Sequence, residues 1–197
     1  MNAAPVFERV YAALKQRLRE GALAPGARLD PAVLADQLAA SVTPVRDALH
    51  RLAGERLVLA RHDGFQVPAL TEPDLRDLYA WNQQLLLLAL RGALRSPLAG
   101  LGPPCPDLHS AEVAETAFRT IGHASGNREQ AIAIDMLNDR LHPARRAELA
   151  ILSQIGGELA DLIGADLRTL RTLIGRYHRR RIAAVPQIVR AHYRMAR

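Results

Sequence analysis

Residues 41–67 read SVTPVRDALHRLAGERLVLARHDGFQV, and the hydrophobic period changes within them. Val45, Ala48, Leu49 and Leu52 fall at i, i+3, i+4 and i+7, which makes one apolar face of a short helix. Thr43 suits its cap and Pro44 its first helical position. Thr43, Arg46, Asp47 and His50 are then left on the outward face, with Arg51 at its edge. Past this helix the residues turn strand-like on both sides of Asp63-Gly64, a pair suited to the positive φ angles of a tight hairpin turn.

Upstream, FERVYAALKQRLREGAL places Val6, Val10, Leu14 and Leu18 at four-residue intervals, a single helical stripe that Gly21 can terminate. In PGARLDPAVLADQLAAS, Asp30 can cap a second short helix and Pro31 can begin it. Leu29 can pack on Leu34 as a hydrophobic staple, and this helix is expected to end near Ala40. Three short helices and a hairpin describe a winged helix-turn-helix. A helix of this width fits the DNA major groove, and a hairpin tip can reach phosphates or the adjacent minor groove.

Composition agrees with a globular chain, since 197 residues at 49% hydrophobic content can bury a core. The longest apolar run, LLLLAL from Leu85 to Leu90, falls far short of the roughly 20 residues of a membrane span. The start, MNAAPVFERV, lacks the basic and apolar regions of a signal peptide, so the expected location is the cytoplasm, with no membrane partner. The one cysteine, Cys105 in PPCPD, excludes an internal disulfide and a multi-cysteine zinc site, and its setting reads as a surface loop. The net charge of +6 and pI near 10.4 are compatible with a polyanionic partner. The excess is uneven, because residues 165–197 carry nine Arg against the single acid Asp166. Charge alone would equally describe a solvated helix face.

The run YAALKQRLREGALAPGARLDPAVLADQLAASVTPVRDALHRLAGERLV, followed by GFQV, resembles the DNA-binding domain of GntR-family bacterial transcription regulators. The shared features are PG-x-rL, LA and S-x-T-P-V-R-x-A-L-x-R-L, in uninterrupted order over about 60 residues. The resemblance implies DNA contacts from Ser41, Thr43, Arg46 and the wing, with Arg46 reading guanine and the hydroxyls gripping phosphate. A guanidinium can donate two hydrogen bonds to a guanine edge, whereas a short hydroxyl positions the backbone without reading sequence. His50, Arg51, Arg61, His62 and Gly64 complete the expected DNA-binding set. Val42 stands where the family usually has Arg, and Ala32 where some members have another, so the operator sequence is expected to differ.

VPALTEPDL is read as a linker, with Pro68 and Pro73 limiting helix formation. Beyond it, DLRDLYAWNQQLLLLALRGALRS has Leu75, Leu78, Leu85, Leu88 and Ala89 near one stripe and further leucines around it, a helix buried in a domain or at a subunit interface. SPLAGLGPPCPD reads as a loop. Further helices are expected near 109–124, 128–141, 143–163, 166–181 and 184–196, with SGN and HP as breaks. The expected fold is mainly α, a winged helix-turn-helix over residues 1–70 and an all-α helical bundle over 71–197.

The second part resembles the effector-binding and dimerisation domain of the fatty-acid-responsive (FadR/FCD) branch of the same family. DLYAWNQQLLLLAL, AETAFRTIGHASGN and the final RTLIGRYHRRRIAAVPQIVRAHYRM carry that likeness, in a shortened form. Many members of this branch hold a divalent metal that binds a carboxylate effector, through one Asp and three His. Here those positions read Glu115, Arg119, Leu170 and His192, so no metal and no other cofactor is expected. Glu115 and Arg119, four apart in acid-first order, are expected to pair, and Arg119 could then anchor an acidic ligand group. Positions that line the effector pocket in relatives map onto Asn82 and Leu86. The expected pocket set is Trp81, Asn82, Glu115, Arg119 and His192, with a preference for an apolar ligand.

No catalytic constellation supports an enzyme. There is no phosphate-cradling glycine loop or nucleophile elbow, and Ser125 in ASGN reads as a helix cap. The chain is therefore identified as a GntR-family regulator that binds a double-stranded DNA operator, as a homodimer, with a small-molecule effector. A different class of reading is a DNA-binding module whose helical domain senses nothing and recruits a partner protein.

Overall fold

The computed structural model describes residues 3–91, 93–102 and 110–195; Cys105 and its loop lie outside them. By packing, the described chain divides into two units, one reaching Leu70 and joined by the chain end from Tyr193, the other Thr71–His192.

In the first unit α1 (Ala3–Arg19), β1 (Arg28–Leu29), α2 (Pro31–Gln37), α3 (Val42–Gly54), β2 (Leu59–Arg61) and β3 (Gly64–Gln66) follow one another. Val10, Leu14 and Leu18 bury the α1 stripe against Leu34, Val45, Leu49 and Leu52. Asp30 caps α2 by accepting from the Ala32 N–H, with Pro31 behind it, and Leu29 and Leu34 are both buried as the staple requires. The strands form an antiparallel sheet in the order β1-β3-β2. This is a winged helix-turn-helix.

Two local expectations are corrected here. Helix α3 starts at Val42 with Ser41 at the N-cap position, so Thr43 and Pro44 lie inside its first turn. Proline is tolerated there because the first N–H groups of a helix have no intrahelical partner. The hairpin turn is His62-Asp63, since Arg61 pairs with Gly64 and Ala60 with Phe65. Asp63 is not in the positive-φ region; Gly64 is, at 130°. β1, which had no strand signature of its own, pairs Leu29 with Phe65 and Arg28 with Gln66 and so fixes the register.

The second unit is helical: α4 (Glu72–Ala89), a 3-10 turn (Pro97–Gly100), α5 (Ser110–Ala124), α6 (Arg128–Glu148), α7 (Ile155–Gly164), α8 (Leu167–Ala183) and, as far as His192, α9 (Val185–Met195). Pro73 does not limit α4 but sits in its first turn, behind a capping box in which Thr71 and Asp74 exchange side-chain to backbone bonds. Nor does His142-Pro143 break a helix. α6 runs through Pro143, because Ala144, Arg145, Ala147 and Glu148 are all buried beyond it, and the chain turns only at residues 149–154. Asn127, not Ser125, caps α6; the Ser125 hydroxyl braces the turn by donating to the Gly122 carbonyl at 2.7 Å. Among the described residues no helix is long and apolar enough to cross a membrane.

Candidate nucleic-acid interface and the interior of the helical unit

The inward residues of α3, Val45, Ala48, Leu49 and Leu52, are completely buried, which fixes the rotation of the helix. Ser41, Thr43, Arg46, Asp47 and His50 are therefore exposed along one side. Arg46 makes no ion pair or side-chain hydrogen bond among the described residues. His50 rests edge-on against Phe65 at 4.8 Å, tying this helix to β3. Arg51 is placed otherwise than expected. It lies over the Tyr11 ring at 4.0 Å and pairs with Glu8 at 3.2 Å and Glu55 at 3.7 Å, so it braces α3 on α1 and is not a free cation.

Arg61 and His62 are exposed at the hairpin tip. Arg28, a residue that sequence reading passed over, reaches across from β1 and donates from Nη2 to the Asp63 carbonyl at 2.7 Å. Its guanidinium also lies over Gly64, 3.8 Å from where a Cβ would be. This clamp holds the turn, and the PGARL stretch that carries Arg28 offered no local signal of it. A Gly64→Val substitution would force a β-branched residue to φ 130°, a strain on the order of 1–3 kcal/mol. Operator affinity is expected to fall up to about tenfold with the preferred bases unaltered; unchanged affinity in a fluorescence titration would show that the wing stands clear of DNA.

In the helical unit, Asn82, Glu115 and His192 are buried, whereas Trp81 is 49% exposed and Arg119 is exposed. The Glu115–Arg119 pair does not form. Arg119 bonds to Asp135 of α6 at 3.0 Å, and Glu115 turns inward to His142 Nδ1 at 2.6 Å. Arg119 thus cannot anchor a ligand beside Glu115, and Trp81 is not part of the core. Leu170 is fully buried and aliphatic. The residues at the four metal positions do not make a ligand set, and among the described residues no three metal-ligating side chains converge.

The interior holds polar groups that sequence reading missed. Arg145 is 2% exposed and donates to Asn138 Oδ1 at 2.9 Å, while Asn138 donates to the Glu115 carbonyl. Its guanidinium faces Phe118 at 5.2 Å and its Nη1 lies 3.8 Å from a Glu115 carboxylate oxygen, while among the described residues its Nε and Nη2 have no hydrogen-bond partner. His178 stacks on Phe118, and burial lowers its pKa to about 3, so it is neutral. Its Nδ1–H donates to the Ile174 carbonyl at 2.8 Å, which leaves Nε2 as an acceptor. The Asn82 side-chain amide 3.1 Å away must then present its NH2 to the ring.

A second buried set joins four helices. Glu148 accepts from the Tyr79 hydroxyl at 2.5 Å and from Arg181 Nε at 2.8 Å, and Arg181 Nη1 bonds Glu158 at 2.8 Å. Arg181 is completely buried, 3.3 Å from the centre of the Tyr177 ring. Burial pushes the Glu148 carboxyl up, and Arg181 only partly offsets that. Burial also raises Tyr177, to about 12. A usable signal existed, since Leu170, Ile174, Tyr177 and Arg181 follow the i, i+4, i+7, i+11 stripe of α8.

Comparison with known proteins bears on both units. Residues 7–65 match the family described as bacterial regulatory proteins, gntR family. The chain is 33% identical over 162 residues to the HTH-type transcriptional regulator McbR of Escherichia coli (strain K12), covering 80% of this chain and 68% of that one. It is 24% identical to the HTH-type transcriptional regulator YdhC of Bacillus subtilis (strain 168), over 96% of this chain and 88% of the relative. Among solved structures, E. coli McbR/YncC superposes with TM-score 0.64 at 26% identity, covering 92% of this chain and 97% of that one. A transcriptional regulator GntR from Rhodococcus sp. RHA1 shares the fold, with TM-score 0.68 at 16% identity over the same shares.

Proposed function

The chain belongs to the GntR family of bacterial regulatory proteins, and on that premise we propose that it works in the cytoplasm as a homodimer on an operator, with an FCD-type helical domain that senses a small molecule. It is a DNA-binding transcription regulator, not an enzyme. The observation that carries the operator reading is Arg46, a cation exposed on the outward face of α3 with no ion pair or side-chain hydrogen bond among the described residues. Arg46 reads a base, Ser41 and Thr43 hold phosphates, His50 borders the contact, and Arg61, His62 and Gly64 carry the wing to the backbone. Arg51 supports this face from behind. Two copies read two half-sites, because one recognition helix spans only one.

The sensing role draws support from Arg145. An arginine buried with two unpaired N–H-bearing nitrogens is costly unless something accepts from it. A ligand carrying an acceptor group meets that need better than the wholly apolar one anticipated from Leu86 and Leu170, which instead fill the interior. Selection from a random duplex library is the test of the operator reading. It should enrich an inverted repeat with half-sites about one helical turn apart or a multiple of it; enrichment of a single unrepeated site would contradict the dimer. Native mass spectrometry of the purified chain should show the dimer with a small molecule bound, and that molecule should change operator affinity when titrated.

A further inference from the structure

The turn that joins α2 to α3 is built around a strained residue. Helix α2 ends with the Ala40 N–H reaching back to the Ala35 carbonyl at 3.0 Å and the Ala39 N–H to that of Asp36 at 3.3 Å. A helix end of this kind passes through one left-handed residue, usually glycine. Here that residue is Ala39, at φ 46°, where a Cβ is penalised. Arg9 of α1, far away in sequence, meets the same turn. Its Nη1 donates to the Leu38 carbonyl at 2.8 Å and its Nη2 to the Ala39 carbonyl at 3.1 Å. One planar fork thus satisfies two carbonyls at a helix C-terminus, an end that also favours a cation. Ser41, at the N-cap of α3, follows Ala39 by two residues, so the path of the chain through Ala39 decides where the first turn of α3 begins.

We propose that Arg9 is a positioning residue for operator binding: it holds Ala39 in the left-handed conformation and so aims the recognition helix. Without the fork, only part of the population enters α3 along the path that suits the major groove, and apparent affinity falls with that fraction. Arg9 acts through the turn and need not touch DNA. This inference rests on α3 being the reading helix, as proposed above.

The test is fluorescence titration of the full-length chain onto the duplex selected with the wild-type protein, at several salt concentrations. Arg9→Ala should weaken binding about three- to tenfold with the slope of log affinity against log salt unchanged, since no phosphate contact is lost. Adding Ala39→Gly should recover most of that loss, because glycine adopts φ 46° freely, whereas Ala39→Gly alone should change affinity by less than about twofold. Arg17→Ala is the control. Arg17 also joins α1 to α2, but through the Gln37 side chain at 2.8 Å, so its removal should leave affinity near wild type. Urea unfolding establishes that each variant is folded under the titration conditions. An Arg9→Ala loss that Ala39→Gly does not recover, or that Arg17→Ala matches, would overturn the clamp. A salt slope smaller by about one would also overturn it, by making Arg9 a phosphate contact. Wild-type affinity in Arg9→Ala beside a loss in Arg46→Ala would remove the clamp and leave α3 as the reading helix; wild-type affinity in both would remove the two together.

Discussion

Replacing Arg181 with Met should lower the unfolding free energy of the helical unit by about 3–5 kcal/mol, the usual cost of stranding one member of a buried ion pair. Arg181 is fully buried and serves both Glu148 and Glu158. The two acids differ in what they can do without it. Glu158 is partly exposed and keeps Arg180 at 3.3 Å, so it can recover hydration. Glu148 is 2% exposed and among the described residues would retain only the Tyr79 hydroxyl as a side-chain donor, so it must protonate or stay charged without its cation. Since burial already pushes this carboxyl up, removal of the cation drives it further toward the neutral form. The consequence has a sign in pH. A carboxyl whose folded pKa exceeds its unfolded one destabilises the fold as pH rises through the interval between them. The Arg181→Met penalty should therefore shrink when the pH is lowered toward the ordinary carboxylate range. Adding Glu148→Leu to Arg181→Met should recover much of the loss, because with both partners removed neither member of this pair is left as a stranded charge. Urea unfolding of the four members of this cycle measures it; a single-variant loss below about 1 kcal/mol would mean that the cluster is hydrated in solution.

Arg46→Ala should weaken operator binding by about 1–3 kcal/mol and relax the base preference at one position in each half-site. The size follows from geometry. Arg46 is exposed on the outward flank of α3 and makes no ion pair or side-chain hydrogen bond among the described residues, so its hydrogen-bonding capacity is available to a guanine edge. Removing a phosphate contact would instead weaken all sequences alike and reduce the salt dependence. Arg46→Lys distinguishes the two, since a single ammonium retains the charge but loses the planar fork. Measured by competition titration at fixed salt, Lys should keep non-specific affinity and lose selectivity. Wild-type selectivity in Arg46→Ala would take this residue off the reading face.

The helices of the first unit were legible because their signals are local. Asp30-Pro31, the four-residue stripe of α1 and the inward set of α3 each sit within one or two turns. The hairpin was legible as a hairpin but not in register, because Asp63-Gly64 is a strong local turn signal that was overruled from a distance. β1 pairs with β3 and Arg28 clamps Asp63, contacts between residues more than 30 positions apart. In the helical unit the misreadings share one cause. Pro143 reads as a stop, yet the burial of Arg145 and Glu148 carries α6 through it. Glu115 and Arg119 read as a pair, yet each has a better partner on α6. The basic run Arg179-Arg180-Arg181 reads as a solvated face, yet only the first of these is exposed and the last is buried entirely. Residue type was given more weight than position on the helix, and the core of this unit contains charges that type alone would place outside.

Ser41 holds the N-cap position of α3, yet its side chain makes no capping bond, unlike Asp30 on α2 and Thr71 on α4. Every helix begins with N–H groups that need an acceptor from outside, and a phosphate at that end is well suited to supply one. On DNA the operator backbone can thus finish what the chain leaves open, so that order in the first turn of α3 and attachment to the duplex become one linked equilibrium. A regulator searching along non-specific DNA would carry a reading helix slightly loose at its leading end. Tightening would then accompany the arrival of a well-placed phosphate, and part of the discrimination between right and wrong sites would be expressed as local folding, not as contact alone.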